Sequence, residues 1–171
     1  DFDQDDVADE LSVGDITAVT LYQAALGVPG QVLPSDTEAL VSTLVGERIF
    51  ERVGCADCHV PLLALQGREF VEPNPFNPSG TAGVAELRDI RFDLTTQGQL
   101  PRLEPAADGG ALVRAYTDLK RHNLCDADIR HLCNEQLVQA GVATELFLTR
   151  KLWDVGNSAP YGHKGDLTTL T

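Results

Sequence analysis

With 171 residues, 43% of them hydrophobic, the chain can bury one sizeable core, which predicts a single globular domain with irregular extensions. Basic side chains number 13 against 26 acidic ones, a formal charge of −13 that disfavours nucleic acid and anionic membrane surfaces and favours a protein partner with a basic surface; acidity serving only solubility is the plainer alternative. No apolar run approaches the roughly 20 residues needed to cross a bilayer, so no membrane span is expected, and a start at Asp1 instead of Met reads as a processed or cut chain.

The opening DFDQDDVADE sets carboxylates at Asp1, Asp3, Asp5 and Asp9, the alternation found in aspartate-rich calcium loops. Asp6 stands where such loops want Gly, and Ser12 where an EF-hand needs its bidentate Glu. A solvated acidic terminus is therefore the main reading and a calcium site the alternative. Residues 13–26 read as a helix, with Ser12 as cap, apolar positions at Ile16, Val19, Tyr22 and Leu26, and Gly27 to Gly30 ending it. A second helix starts from a capping box of Ser35 and Glu38. Leu40, Val41, Leu44, Val45, Ile49, Phe50 and Val53 then keep helical spacing until Gly54. Residues 1–34 thus form an acidic segment and helix, and 35–171 the main domain.

From 60 to about 110 the chain is rich in Pro, Gly, Asn and Gln, densest in PNPFNPSG at 73–80, and reads as long loops. Loops of that length call for a ligand or a function to lie over. A third helix is predicted from Asp126, as its cap, to about Val138, and the chain from Phe147 onward is extended and turning. Few aromatics, at 6%, beside 15 Gly and 9 Pro suggest loops wrapped around a large apolar cofactor that supplies missing core.

Cys55-Ala56-Asp57-Cys58-His59 has the C-x-x-C-H pattern of c-type haem attachment. Two cysteines three apart on a helix-like turn can each reach one vinyl group of the same porphyrin, and the next residue points an imidazole at the iron. A zinc site would want a second closely spaced pair, whereas Cys125 and Cys133 stand eight apart. A thioredoxin-like motif would want a strand before it; here a helix precedes and Pro61 follows.

Gly46 and Phe50 lie on one side of that preceding helix, as in the first helix of c-type cytochromes, which packs a small residue and an aromatic against the terminal helix. YTDLKRHNLCD at 116–126 and FLTRKLWDVGNSAPYGHKGDLTTL at 147–170 resemble the C-terminal haem domain of the bacterial dihaem oxidoreductases, peroxidase-like relatives of the dihaem cytochrome c peroxidases. ELSVGDITAVTLYQAAL at 10–26 and FERVGCADCHVP are similar to the same family, so the likeness covers nearly the whole chain. Family members usually carry two C-x-x-C-H motifs, and this chain has one. The resemblance therefore implies one haem domain that works beside another haem domain or subunit, or a shortened relative.

Haem c is attached outside the cytoplasm, where thiols oxidise, so a periplasmic or other extracytoplasmic location is expected and the leftover Cys125 and Cys133 suggest a disulfide, two buried thiols being the alternative. Along a continuous helix their Cα atoms would stand about 12 Å apart, beyond bridging reach, so a bridge requires a turn between them or a helix that starts late. For the second axial ligand the chain has no Met, which leaves His122, His131 and His163. His122, 63 residues beyond His59 in the turn KRHNL, ranks first and His163 next; His131 inside the predicted helix reads as surface or structural, and an open or non-His position is the remaining alternative. Arg150, Lys151 and Trp153 fall in the segment that the resemblance places near the haem, where Arg150 or the Trp153 indole would hold a propionate; surface charge and a core Trp are the alternative. Tyr161 and His163 share a rigid turn set by Pro160 and flanking glycines.

The expected fold is mainly α, a cytochrome c-like helical domain around one covalent haem, with long loops. The expected function is single-electron transfer to or from a redox protein partner. The alternative is a peroxidase-type haem domain, whose iron needs an open position and a nearby acid or base.

Overall fold

The computed structural model describes residues 13–72, 90–128 and 130–170. The acidic opening with its calcium-type carboxylates and the PNPFNPSG cluster lie outside these residues. Two α-helices form, α1 (Val13–Ala25) and α2 (Thr37–Arg52), with strands β1 (Leu63–Leu65), β2 (Glu69–Glu72), β3 (Ile90–Asp93), β4 (Glu104–Pro105), β5 (Ala111–Val113), β6 (Arg121–Asn123) and β7 (Leu146–Leu148). Short 3-10 turns occur at Cys55–Asp57, Arg130–Leu132 and Val155–Asn157.

The expected mainly α, cytochrome c-like bundle is thereby corrected: short strands outnumber helices, and no α-helix follows α2 among the described residues. Gly46, read as half of a helix-packing pair, has no atom near the position its Cβ would take. The third helix, expected from Asp126 to Val138, fails for a physical reason. A Cys125–Cys133 disulfide brings their Cα atoms to 4.7 Å, which no continuous helix permits. Beyond the bridge, the Glu135 carboxylate accepts from the amides of Gln136 and Leu137, so the side chain takes backbone donors that a helix would use.

The chain forms two compact units, residues 1–30 with 64–113, and 31–63 with 114–171. In the first, β2 and β3 pair antiparallel with Phe70 opposite Phe92, whose rings lie 5.0 Å apart. Arg68 pairs with Asp93 at 3.0 Å and Arg91 with Glu69 at 3.4 Å on the same ribbon. A three-stranded sheet runs in the order β1-β5-β4. The end of α1 is tied to the 98–101 segment by Gln99 N–H to Ala25 O and Val28 N–H to Pro101 O, both 2.9 Å. Gly98, at φ +85°, makes that approach possible, since a Cβ there would meet Ala25 O at 3.0 Å.

In the second unit α2 is capped one residue later than the sequence suggested. Asp36, not Ser35, is the N-cap, its Oδ1 accepting from Ala39 N–H at 2.9 Å. The helix stops as expected, with Val53 at its C-cap and Gly54 left-handed at φ +88°. Its apolar stripe has little cover: Val41, Leu44, Val45, Ile49 and Val53 are all exposed. β6 and β7 pair antiparallel with His122 opposite Phe147. Buried groups in this unit include Ala115, Thr117 and Thr149, and Thr117 Oγ1 donates to Thr149 O at 2.7 Å.

Candidate functional site

The C-x-x-C-H segment follows directly from the stop of α2. Gly54 turns the chain, and the 3-10 turn closes with Asp57 N–H on Gly54 O at 3.1 Å and His59 N–H on Cys55 O at 2.9 Å. Both thiols and one imidazole are therefore carried by five successive residues of a tight turn. Cys55 is exposed, Cys58 half-buried, and both are free thiols.

His59 Nδ1 lies 3.0 Å from the Tyr116 carbonyl oxygen. A carbonyl only accepts, so Nδ1 carries the proton and Nε2 the lone pair. Phe50, on the last turn of α2, fixes the ring from another side, with centroids 6.4 Å from His59 and 6.1 Å from Tyr116.

The Tyr116 carbonyl is itself tightly placed. Tyr116 and Leu119 both have left-handed backbones, at φ +49° and +57°, which non-glycine residues adopt only under constraint. The constraint is visible: Thr117 N–H donates to Val60 O at 3.1 Å, Leu119 N–H to Thr117 Oγ1 at 3.0 Å, and Lys120 N–H to Asp118 Oδ1 at 2.9 Å. One strained turn thus receives the chain just after His59 and feeds β6.

His122 is tethered to this turn as well. Its Nε2 lies 2.7 Å from Asp118 Oδ2, a carboxylate whose side chain is 8% exposed. Burial pushes the Asp118 carboxyl up, but hydrogen bonds from the Lys120 amide, His122 and Thr149 outweigh it and hold the group at about 2. His163 is engaged in the same way, Nε2 on Glu135 Oε2 at 2.7 Å, with the Phe147 ring edge-on to it at 5.0 Å. Lys164 donates beside it to the Asn134 carbonyl. The bond from His163, then those from the Leu137 and Gln136 amides, hold Glu135 at about 2.

Of the other residues singled out from the sequence, Trp153 gives its indole N–H to Arg114 O at 2.6 Å, and Lys151 Nζ sits 4.5 Å above its ring. That indole N–H is thus already committed within the chain, while Arg150 is exposed. Tyr161 donates to Val155 O at 2.6 Å, the structural hydrogen bond that its turn allows. His131 lies in the Arg130–Leu132 turn. No group of three or more His, Cys, Asp and Glu is gathered for a bare metal ion among the described residues.

Two positions that orient the candidate histidines escaped sequence reasoning. Tyr116 acts through its carbonyl, which leaves no side-chain signature. Asp118 was legible in principle as the acid of a D-x-x-x-H spacing with His122. Compared with protein families, curated proteins and solved structures, the chain finds no match in any of the three.

Proposed function

We propose that this chain carries one haem c, held as thioethers by Cys55 and Cys58 with His59 as an axial ligand, and passes single electrons to or from a redox protein with a basic surface. The observation that carries the reading is the hydrogen bond from His59 Nδ1 to Tyr116 O at 3.0 Å, which leaves Nε2 as a lone-pair donor beside two free thiols. Metal-ligating histidines use this division, one nitrogen on the metal and the other N–H on a carbonyl or carboxylate.

The residues present fit the group. A porphyrin needs two thiols, an oriented imidazole and apolar surface, and the exposed Ile49 and Val53 lie just ahead of the cysteines. The zinc alternative loses its second cysteine pair, because Cys125 and Cys133 are bonded to each other. When bound, the haem supplies a one-electron couple at its iron, and the chain tunes it through ligands, hydrogen bonds and burial. The Tyr116 carbonyl makes His59 a stronger donor by taking part of its Nδ1 proton.

For the second axial position we propose His122. Its Nε2 is on Asp118, so ligation goes through Nδ1 or requires the carboxylate to give way. Arg150 is the exposed cation for a propionate, with Trp153 committed to Arg114 O. Thioether attachment and the disulfide together favour a periplasmic or other extracytoplasmic setting. The sequence likeness to dihaem oxidoreductases suits a domain that works beside a second haem.

The test is expression in a bacterial periplasm equipped for haem attachment, followed by a denaturing gel stained for haem. A stained band for the chain, lost in Cys55→Ala/Cys58→Ala, is expected; a colourless band overturns the proposal. His122→Ala should convert a low-spin spectrum to high-spin, and an unchanged spectrum removes His122 as ligand. Rapid reduction of hydrogen peroxide by the isolated chain would replace electron transfer with the peroxidase reading.

A further inference from the structure

The first unit contains a cavity of about 300 Å³, and none of its lining residues belongs to the C-x-x-C-H segment. It is built from the end of α1, the 94–103 segment, β2 and β5, with Leu26, Phe70, Leu94, Leu103 and Val113 supplying apolar walls. Its volume sits at the lower end of the range for small-molecule sites. Backbone bonds hold its walls together: among the lining residues, Gln99 N–H donates to Ala25 O at 2.9 Å and Leu103 N–H to Leu94 O at 3.3 Å. A cavity framed in this way needs little ordering on binding.

Arg102 also lines it. Its Nε and Nη2 both donate to Gly98 O, at 3.2 and 3.1 Å, so the guanidinium is pinned in place. Arg68 and Arg91 of the same unit are each matched by a carboxylate, whereas Arg102 has no carboxylate partner among the described residues. The chain has a formal charge of −13, and on this apolar wall Arg102 is a cation without a carboxylate partner among the described residues. Its remaining N–H groups suit a ligand oxygen that carries negative charge.

We infer that this cavity binds a small amphipathic carboxylate, its aliphatic body on the apolar walls and its carboxylate on Arg102. Octanoate and octan-1-ol, titrated into the full chain by calorimetry and by ligand-observed saturation-transfer NMR, test the idea. Octanoate should bind saturably at one per chain and more tightly than octan-1-ol. Arg102→Gln should weaken octanoate about tenfold or more, the loss of a charge-assisted contact, and leave octan-1-ol unchanged. Ala25→Leu, which fills the cavity, should abolish binding of both. Three results would each overturn the site: no saturable octanoate binding, equal affinity for the alcohol, or an Arg102→Gln variant that binds octanoate normally. None of these readouts depends on haem.

Discussion

Asp118 and Glu135 each hold a histidine through a 2.7 Å hydrogen bond and each also accepts from backbone amides. Their folded-state values fall to about 2, from ordinary values of 3.8 and 4.5. A depressed carboxyl contributes stability that is fully present above its unfolded value and lost as pH falls through the folded one. Denaturant midpoints should therefore hold above about pH 5 and decline steadily toward pH 2. Asp118→Asn and Glu135→Gln should each flatten that decline and lower the midpoint near neutrality, and a variant with the wild-type pH profile would remove its carboxylate from the account. At this scale the sequence was legible where chemistry demands contiguity. In the proposed attachment two thioethers and an imidazole come from neighbouring residues, so Cys55, Cys58 and His59 stand out as a string in the sequence, whereas the hydrogen bond that puts the His59 proton on Nδ1 does not. Tyr116 was illegible because a carbonyl belongs to every residue, and what distinguishes this one is a left-handed backbone set by contacts with Val60 and Thr149.

Among the elements, α1 and α2 were readable because each runs long enough for its apolar period to show and ends at glycine. The strands were not, since stretches such as ALV or RHN are three residues long, below any window in which alternation can be counted. The start of α2 separates local from tertiary information, with Ser35 and Glu38 fitting a capping box but Asp36 making the bond. Asp36→Ala should then lower helix stability by about 1 kcal/mol while Ser35→Ala changes little, as read by circular dichroism against temperature. Equal effects would restore the capping-box reading. The disulfide decides the 126–138 segment against its helical appearance, because a covalent link between residues eight apart outweighs propensity. By closing a short loop it should contribute about 2–3 kcal/mol. Cys125→Ala/Cys133→Ala should lower the unfolding free energy by that amount; a rise in helical signal in the same variant would show that the bridge alone prevents the helix.

For the whole molecule the governing quantity is charge. With 26 acidic against 13 basic side chains, the protein presents a negative field to anything that approaches it. Such a field adds little to the affinity of a docked complex but accelerates encounter with an oppositely charged partner, and it does so through water and salt. At about 0.01 M ionic strength the screening length is about 30 Å, comparable with a small protein, whereas at 0.15 M it is about 8 Å. The proposed electron exchange should follow this dependence. With the haem-loaded chain, the second-order rate of electron transfer to a small basic carrier protein should fall about tenfold or more between those two conditions. With an acidic carrier of similar potential the rate should begin low and rise as salt screens the repulsion. The pair of measurements separates steering from intrinsic reactivity, because driving force and haem environment are the same in every titration and only the sign of the partner changes. A rate to the basic carrier that is flat across ionic strength would mean that the acidity serves solubility alone, and that the partner is recognised by contacts shorter than the field.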